Sequence, residues 1–294
     1  MSRETSRGTA KVRHLCQTFG ISRQAYYAAR KPRPACLATQ KTRQRRERRG
    51  PWATATELEA GIREVVDKHP AWGTRKVWAR LRKNGMVVSR NRVWAMMRAL
   101  GLVLPPVKER EPTTPRGQVV VDTSNRRWAS DLTTAWTRRD GWAAIVPVID
   151  CGDRYALACG VMKSQQAPMV LAPLEQALVA EFGEPANVPW EMELRSDHGT
   201  QYTGKDCENL CARWGVVHTF APVGRPTGNA VVERFIQTMK VELIWTRDWE
   251  SIAELRAAIN AWLASYNHER PHQALGWDTP AERRAGNLGI QVAA

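Results

Sequence analysis

Three acidic residues carry the chemistry that this sequence offers: Asp131, Asp197 and Glu233. Asp131 lies in a strand-like run, Asp197 closes a second apolar run at a turn, and Glu233 lies on a predicted helix, with 35 residues between Asp197 and Glu233. A lone acid would most simply be a solvated surface group. Acids from distant segments can instead converge on two hard divalent cations, which activate one oxygen and stabilise another during in-line attack at phosphorus.

The segments that must position these acids predict a mixed α/β domain. Five runs have strand character, and the first three are consecutive: 128–136, 142–149, 155–161, 192–196 and 216–220. Helical patterns at 166–182 and 204–214 separate the later strands. Three strands followed by alternating helix and strand predict a sheet covered by helices, and periodicity alone predicts no more than the α/β class.

The first two strands define the surroundings of Asp131. Alternation places Asp131 on one face with Ala129, Thr133 and Ala135, whose small side chains leave space beside the carboxylate. Pro147 lies inside the second run and cannot donate to a sheet ladder. We therefore expect a sheet edge or a bulge at Pro147.

Glu233 lies on a helix with two distinct faces. Apolar residues recur at steps of four, three and four, at Val232, Ile236, Met239 and Leu243. The same steps on another face contain Asn229, Glu233, Gln237 and Lys240. Lys240 should therefore lie two turns from Glu233 on the same side of the helix.

Charge is distributed unevenly along a chain whose formal net charge is +15. Residues 1–50 carry +12, residues 51–116 carry +7, and residues 117–294 carry −4. A basic front favours a polyanionic partner such as nucleic acid, and an acidic rear favours bound cations. The alternative is a basic unstructured arm followed by an ordinary acidic domain.

Residues 57–101 predict a helix-turn-helix. Apolar residues recur at helical spacing in three stretches, and Ser89 and Gly101 are placed to begin and to end the third helix. Arg and Asn on such a helix can contact base edges in the major groove. We expect DNA contacts at Arg75, Lys76, Arg90, Asn91, Arg92 and Arg98, and core positions at Trp72, Trp78 and Trp94. The alternative is a small helical bundle with an exposed basic face.

The remaining segments complete the division of the chain. Residues 11–30 predict part of another helix-turn-helix, and the basic run 40–49 either follows a phosphate backbone or is a solvated linker. Prolines and charges after residue 104 predict a linker. The expected domains are a basic arm at 1–50, a helix-turn-helix domain at 51–104, a Pro-rich linker at 105–120, the α/β core with a C-terminal helix at 121–285, and a tail at 286–294.

The six cysteines predict no metal site. Cys207 and Cys211 lie on a predicted helix, where both can belong to the core, and no second pair with zinc-finger spacing accompanies them, so we expect no structural zinc. Free thiols fit a reducing cytosol. The first residues are too polar for a signal peptide, and no apolar run is long enough to span a membrane. A cytoplasmic location follows as the expectation.

The motifs around the three acids resemble the Asp-Asp-(35)-Glu core of retroviral-type integrases and of bacterial insertion-sequence transposases. The similarity is greatest to the second-frame product of the IS-three family and extends from about residue 15 to about residue 284. The segments that carry it are 128–132, 148–154, 196–203, 229–233, 239–240 and 266–276.

This resemblance implies an RNase H-like mixed five-stranded sheet with flanking helices, preceded by small all-α helix-turn-helix DNA-binding segments. It implies that Asp131, Asp197 and Glu233 are catalytic and hold two Mg²⁺ ions, for which Mn²⁺ can substitute. Water would free a 3′-OH at the element's end, and that hydroxyl would attack a second phosphodiester, in copy-out–paste-in transposition through a circle. Lys240 would contact the element's end, and Arg234 a nearby phosphate.

The resemblance also implies partners. The first is double-stranded DNA, at the transposon ends and at the target. The second is a further copy of the chain on that DNA, because two ends need at least two protomers. The third is an upstream-frame protein, with which such chains are often fused by frameshifting. Such a protein would act at the nucleoid. His198, beside Asp197, is expected to shape the loop or to contact phosphate rather than to act as a base.

Two other functions agree with part of the sequence. A catalytically silent DNA-binding protein, such as a domesticated transposase or an end-binding repressor, would need the helix-turn-helix but not the three acids. A metal nuclease without joining activity would need the acids but would form no joined products. The intact acids favour a DDE transposase, a DNA strand transferase.

Overall fold

The computed structural model describes residues 51–105, 121–221 and 229–289. The helix-turn-helix predicted at 11–30, the basic run at 40–49 and nearly all of the Pro-rich linker lie outside the described residues. None of the described helices combines the length and the apolar character that crossing a bilayer requires.

Three helices form the helix-turn-helix domain: α1 (Ala55–Lys68), α2 (Thr74–Lys83) and α3 (Arg90–Ala99). Thr54 and Glu57 cap α1 reciprocally, and the Ser89 side chain accepts from the Arg92 N–H at the start of α3. Gly101 follows α3 with a φ of 69°, which favours glycine. The apolar stripes of the three helices pack together around Leu58, Ile62, Val77, Val93 and Met97. The three predicted helices are confirmed.

Six strand segments form one mixed sheet: β1 (Arg127–Ser130), β2 (Thr133–Thr137), β3 (Gly141–Asp150), β4 (Ala156–Met162), β5 (Glu193–Ser196) and β6 (Val217–Phe220). β1 and β2 pair antiparallel with β3 along its one side, and β4 pairs antiparallel along the other. β5 runs parallel to β1, and β6 parallel to β5. Because β1 and β2 continue one register, the sheet has the five-stranded RNase H-like order, with its first strand interrupted.

The interruption falls at Asp131. Ser130 pairs with Val148, so the next residue, Asp131, lies opposite Pro147. Proline has no N–H for the ladder, and the Asp131 carboxylate accepts instead from the Leu132 N–H at 2.8 Å. The expected sheet edge is wrong, because β3 is paired on both sides. The expected irregularity is confirmed by this break and by a register shift in the β3–β4 ladder directly after Val148.

Helices cover both faces of the sheet: α4 (Ala167–Phe182), α5 (Thr200–Thr203), α6 (Lys205–Trp214), α7 (Ala230–Glu242), α8 (Ile252–His268) and α9 (Pro280–Leu288). α4 and α6 bury one face around Trp128, Leu178 and Leu194. α7 and α8 bury the other around Ile145 and Phe235. α9 continues past the domain boundary expected at residue 285.

A charged network fixes α9 to the sheet. The Arg284 guanidinium bonds Asp153 at 2.7 Å, Asp150 at 3.2 Å, Glu181 at 2.5 Å and Asn125 at 2.9 Å. Asp150 and Asp153 are fully buried. Burial, reinforced by Asp153, raises the pKa of Asp150 to about 6. A single cation therefore pairs with three acids, two at the end of β3 and one on α4.

The helix-turn-helix domain packs on the sheet domain through α2. The Lys76 ammonium lies 2.7 Å from Glu242, whose carboxylate is 7% exposed and also pairs with Arg270 at 3.0 Å. Trp78 packs edge-on against Trp277, with ring centroids 5.9 Å apart. Burial lowers the pKa of Lys76. This face of α2 thus forms the contact between the helix-turn-helix domain and the sheet domain.

Candidate active site

Asp131 lies at the break between β1 and β2, where the backbone hydrogen bonds of the sheet are interrupted. Burial is the largest cause that raises its pKa, to about 6, and the negative charges of Asp197 and Glu233 raise it further. The bond from the Leu132 N–H and the charge of Lys240 act in the opposite direction. The three acids and Lys240 therefore share one electrostatic environment, although they come from three separate segments.

Asp197 directly follows β5 and is exposed. Its Oδ1 accepts from the Gly199 N–H at 3.0 Å, and a Cβ at Gly199 would lie 3.0 Å from that oxygen and 2.7 Å from the Gln201 amide nitrogen. Glycine thus lets the turn close around the carboxylate. The His198 ring stacks on Phe220 at 5.0 Å, which supports the loop-shaping role among those expected for it.

Glu233 lies in the first turn of α7 and is exposed. The opposite face of α7 is buried at Val232, Ile236 and Met239, as expected, and also at Phe235. Because the apolar face is packed against the sheet, Glu233 is held on the outward side of the helix.

Buried polar contacts connect the three acid-bearing segments. The Ser130 hydroxyl hydrogen-bonds the Tyr202 hydroxyl at 2.8 Å, and the Asn229 amide donates to the Ser130 carbonyl at 3.4 Å. Ser130 precedes Asp131, Tyr202 lies in the turn after Asp197, and Asn229 lies one turn before Glu233. All three residues lie in the motif segments around the acids, although no role was predicted for them from sequence. Their position inside those motifs was the available signal.

The three acids differ from the paired acids elsewhere in the protein. Within the described ranges, none of them forms a salt bridge. Their oxygens are also not among the described ligand groups that converge within 4.8 Å. The donor set, three carboxylates near solvent, fits a hard cation such as Mg²⁺.

Lys240 lies two turns from Glu233 on α7. Its ammonium is 6.0 Å from the ring centroid of Trp245, which is 63% exposed. An aromatic face beside a cation stabilises that cation and provides a flat apolar surface. Trp245 was not identified from the sequence, because the turn after α7 decides that Trp245 lies close to Lys240.

Arg234 and Arg75 meet at one cavity. Arg234 is exposed on α7, Arg75 is exposed on α2, and both line a cavity of about 730 Å³ between the two domains. Arg154 also lines it, and no acidic residue is among its described lining. Lys76 borders the same cavity but is paired with Glu242. Lys76 therefore forms a contact between the domains in this structure, and its expected contact with DNA stays a prediction.

The outer face of α3 carries the other expected contacts. Arg90, Asn91 and Arg98 are exposed. Arg92 instead donates to the Ala53 carbonyl at 2.8 Å, which draws it back toward the start of α1. The expected core position of Trp94 is wrong: the ring is 46% exposed, and the Arg98 guanidinium lies 5.3 Å from its centroid.

The other two tryptophans expected in the core are covered. Trp72 is 3% exposed and stacks on His69 at 3.8 Å. Trp78 is partly buried, and its indole N–H donates to the Val88 carbonyl at 3.2 Å.

The chain is similar to known transposases and to models of integrase core and HTH-like domains. Models of an integrase core domain match residues 122–226 and 214–280, and a model of an HTH-like domain matches residues 53–110. The transposase for insertion sequence element IS629 of Shigella sonnei is 28% identical over 280 residues, which cover 91% of this chain and 89% of that protein. The transposase InsD for insertion element IS2 of Escherichia coli is 30% identical, covering 77% and 78%. Among solved structures, the catalytic core domain of BIV integrase is 25% identical, with a TM-score of 0.43, and covers 56% of this chain and 97% of that one.

Proposed function

The chain belongs to the insertion-sequence transposases of the IS-three family, DDE enzymes that transfer DNA strands, and we propose that Asp131, Asp197 and Glu233 are its catalytic and metal-binding residues. The observation that carries this proposal is their shared electrostatic environment, in which Asp197 and Glu233 raise the pKa of Asp131 while no described cation is paired with any of the three.

Two Mg²⁺ ions, or Mn²⁺ in their place, would activate the attacking oxygen and stabilise the leaving oxygen when bound at these carboxylates. The chain's own residues hold the acids in place. Ser130, Tyr202 and Asn229 restrain the three segments, and the packed face of α7 directs Glu233 outward. No side-chain nucleophile is needed, because water and a DNA hydroxyl are the attacking groups.

Two displacements at phosphorus make up the proposed reaction. In the first, water attacks a phosphodiester at the element's end, and the bond to the 3′ oxygen breaks to leave a 3′-OH. In the second, this hydroxyl attacks the same strand near the other end, loses its proton to solvent, and displaces another 3′ oxygen. The number of phosphodiester bonds is conserved in the second step, and a circular intermediate results, as in copy-out–paste-in transposition.

Double-stranded DNA is the proposed substrate and target. Arg90, Asn91 and Arg98 on the outer face of α3 are suited to contact base edges and phosphates. Lys240, beside Glu233, would contact the element's end near the reacting phosphate. Arg75 and Arg234 line a common cavity, which supports contacts to one stretch of phosphate backbone from both domains.

The proposed assembly contains more than one protomer. Two element ends have to be held together, so we propose a homo-oligomer on DNA, together with an upstream-frame partner protein. Action on chromosomal DNA would place this assembly at the nucleoid in the cytoplasm.

The experiment that tests the catalytic proposal uses the full chain, Mn²⁺ and the DNA of its own element's end. Glu233→Gln should abolish both cleavage and joining, because the substitution removes one carboxylate charge with little change in shape. Glu208→Gln, which alters an exposed acid on α6, is the matched control and should keep full activity. Cleavage and joining by Glu233→Gln at the parent's rate would exclude the mechanism.

The same reaction distinguishes the other functions. Metal-independent binding of end DNA without strand transfer would favour a silent DNA-binding protein. Cleavage without joined products would favour a nuclease.

Affinity for end DNA should also fall steeply as salt concentration rises, because Lys and Arg side chains displace counter-ions from the phosphates. An affinity that is flat between low and high salt would exclude a phosphate-dominated interface.

A further inference from the structure

Two cysteines and a histidine meet behind the candidate active site. Cys207 and Cys211 lie one turn apart on α6, and His218 lies on β6, the strand that follows. Their ligand atoms all lie within 4.8 Å of one another, and the Cys207 Sγ is 3.7 Å from the His218 Nδ1. Both cysteines are buried. The mechanism above uses none of these three side chains.

The spacing of these atoms fits a tetrahedral thiophilic ion. With Zn–S bonds of about 2.3 Å and Zn–N bonds of about 2.05 Å, tetrahedral sulfur and nitrogen ligands lie roughly 3.6 Å apart. The separation between Cys207 Sγ and His218 Nδ1 is close to this value. Ion binding at this place would therefore need little movement of either side chain.

The far side of the histidine is arranged as in metal sites. His218 Nε2 lies 2.9 Å from the Ser196 hydroxyl, which itself donates to the Asp197 carbonyl at 2.9 Å. If the Nε2–H donates to that hydroxyl, the ring orientation is held, and an ion that replaces the Nδ1 proton would meet the Nδ1 lone pair on the side of the two sulfurs. The hydrogen-bonded chain also connects the cluster to the backbone of Asp197.

Thiolate character is favoured at one of the two sulfurs. Hydrogen bonding from Cys211, followed by His218, lowers the pKa of Cys207 to about 5, and burial opposes this shift. The pKa of Cys211 is raised, chiefly because its proton is shared with Cys207. A divalent cation would replace that shared proton and allow both sulfurs to ionise.

We propose that Cys207, Cys211 and His218 bind one Zn²⁺ ion, separate from the carboxylate site. Two thiolates and one imidazole select a thiophilic ion, whereas the three acids select a hard one. Binding releases the protons that the three ligand atoms share to solvent and joins α6 to β6 beside Asp197. This proposal replaces the expectation that the chain holds no structural zinc, which rested on spacing between cysteines alone and did not include a histidine from another element.

The test is a Co²⁺ titration of the chelator-treated full chain, followed in the near-ultraviolet, where thiolate-to-cobalt charge transfer absorbs. One equivalent should saturate the band, an excess of Mg²⁺ should leave it unchanged, and Zn²⁺ should abolish it. Cys207→Ser should lose most of the intensity. Cys159→Ser, a half-buried thiol on β4, is the control and should keep it.

A second measurement needs no altered ligand. Zn²⁺ should raise the midpoint of thermal unfolding of the parent and of Cys159→Ser, because an ion that binds only the folded state stabilises it. Absence of a thiolate band in the parent, or an undiminished band in a folded Cys207→Ser, would exclude the site. The readouts are spectroscopic and thermal, so their failure is distinct from a failure of the catalytic proposal.

Discussion

Two groups of acids lie on the same sheet and have opposite surroundings. Asp150 and Asp153 are fully buried at the end of β3 and bond to Arg284. Asp131 is half-buried at the break in the first strand, it shares its electrostatic environment with Asp197, and no cation in the described part of the chain is bonded to it. The first group has a counter-ion that the fold itself supplies, whereas the second keeps its charge available to a ligand.

The comparison shows that a raised pKa does not by itself identify a functional acid. Burial raises the pKa of Asp131 and the pKa of Asp150 to about 6 in each case. What differs is the bonded partner, since Asp150 has a guanidinium at 3.2 Å, whereas no described cation forms a salt bridge with Asp131. Partners, more than the size of a shift, separate structural from functional acids here.

The largest expected effect is on catalysis. Asp131→Asn should reduce strand joining by at least about 10²- to 10³-fold, because a metal ligand contributes several kcal/mol of transition-state stabilisation. The free energy of unfolding should change little. Asp153→Asn is the matched control, and its joining rate per folded molecule should equal the parent's. Joined products measured for both variants check this, and equal losses would remove the distinction between the groups.

The next effect is on stability. Arg284→Met should lower the free energy of unfolding by about 3–5 kcal/mol, since it leaves buried acids without their cation. Arg213→Met breaks a pair with Glu175 in which both side chains are about half exposed, and it should cost less than about 1 kcal/mol. Urea denaturation of both variants measures the difference. A cost below about 1 kcal/mol for Arg284→Met would show that the network is not structural.

A smaller effect, on the Mg²⁺ requirement, should show whether the Tyr202 hydroxyl positions the acid-bearing segments or only packs in the core. Tyr202→Phe removes the hydroxyl bonded to Ser130. The Mg²⁺ concentration for half-maximal joining should rise about 10-fold or more, as outer contacts to metal ligands typically cause. Unfolding should cost about 1 kcal/mol. Tyr155→Phe, whose ring packs against His268, should leave the Mg²⁺ dependence unchanged. An unchanged Mg²⁺ requirement in Tyr202→Phe would leave the hydroxyl a purely structural role.

The smallest effect concerns pH and Asp150. Its pKa is higher in the folded protein than the ordinary value of 3.8, so the folded state binds more protons between about pH 4 and pH 6. This contribution to the free energy of unfolding is therefore complete below about pH 4 and is lost as pH rises through about 6. Relative to Asp150→Asn, the parent should lose stability over that interval. Unfolding curves at pH 4, 5, 6 and 7 test this, and parallel pH profiles would contradict it.

Much of the fold follows from local patterns. Helix ends at Ser89 and Gly101 were predictable because caps and left-handed glycine depend on residues close in sequence. The buried face of α7 was predictable because helical periodicity depends on spacing alone. The position of Pro147 in the middle of the sheet was not predictable, because a paired strand can hold a proline only where the opposite strand needs no N–H from it. Here Asp131 and the break in the first strand lie opposite Pro147.

The surroundings of Lys76 and Trp94 could not be predicted for a similar reason. Lys76 has the charge and the helix position of a phosphate contact, and nothing local indicates that Glu242 would pair with it. Trp94 has the type of a core residue, but the packing of α3 leaves its ring outside. In both cases the outcome depends on how helices pack against each other, which residue type does not determine.

By itself, the sequence determined which residues could do chemistry, the order of the strands and helices, and the family to which they belong, because these depend on residue type, spacing and motif. The tertiary structure alone decided which charges are neutralised and which ligand atoms meet. Asp150 acquired Arg284 from a helix far along the chain, and Cys207 acquired His218 from the next strand. Electrostatic and coordination energies depend on distances in space, and folding sets those distances independently of separation in sequence.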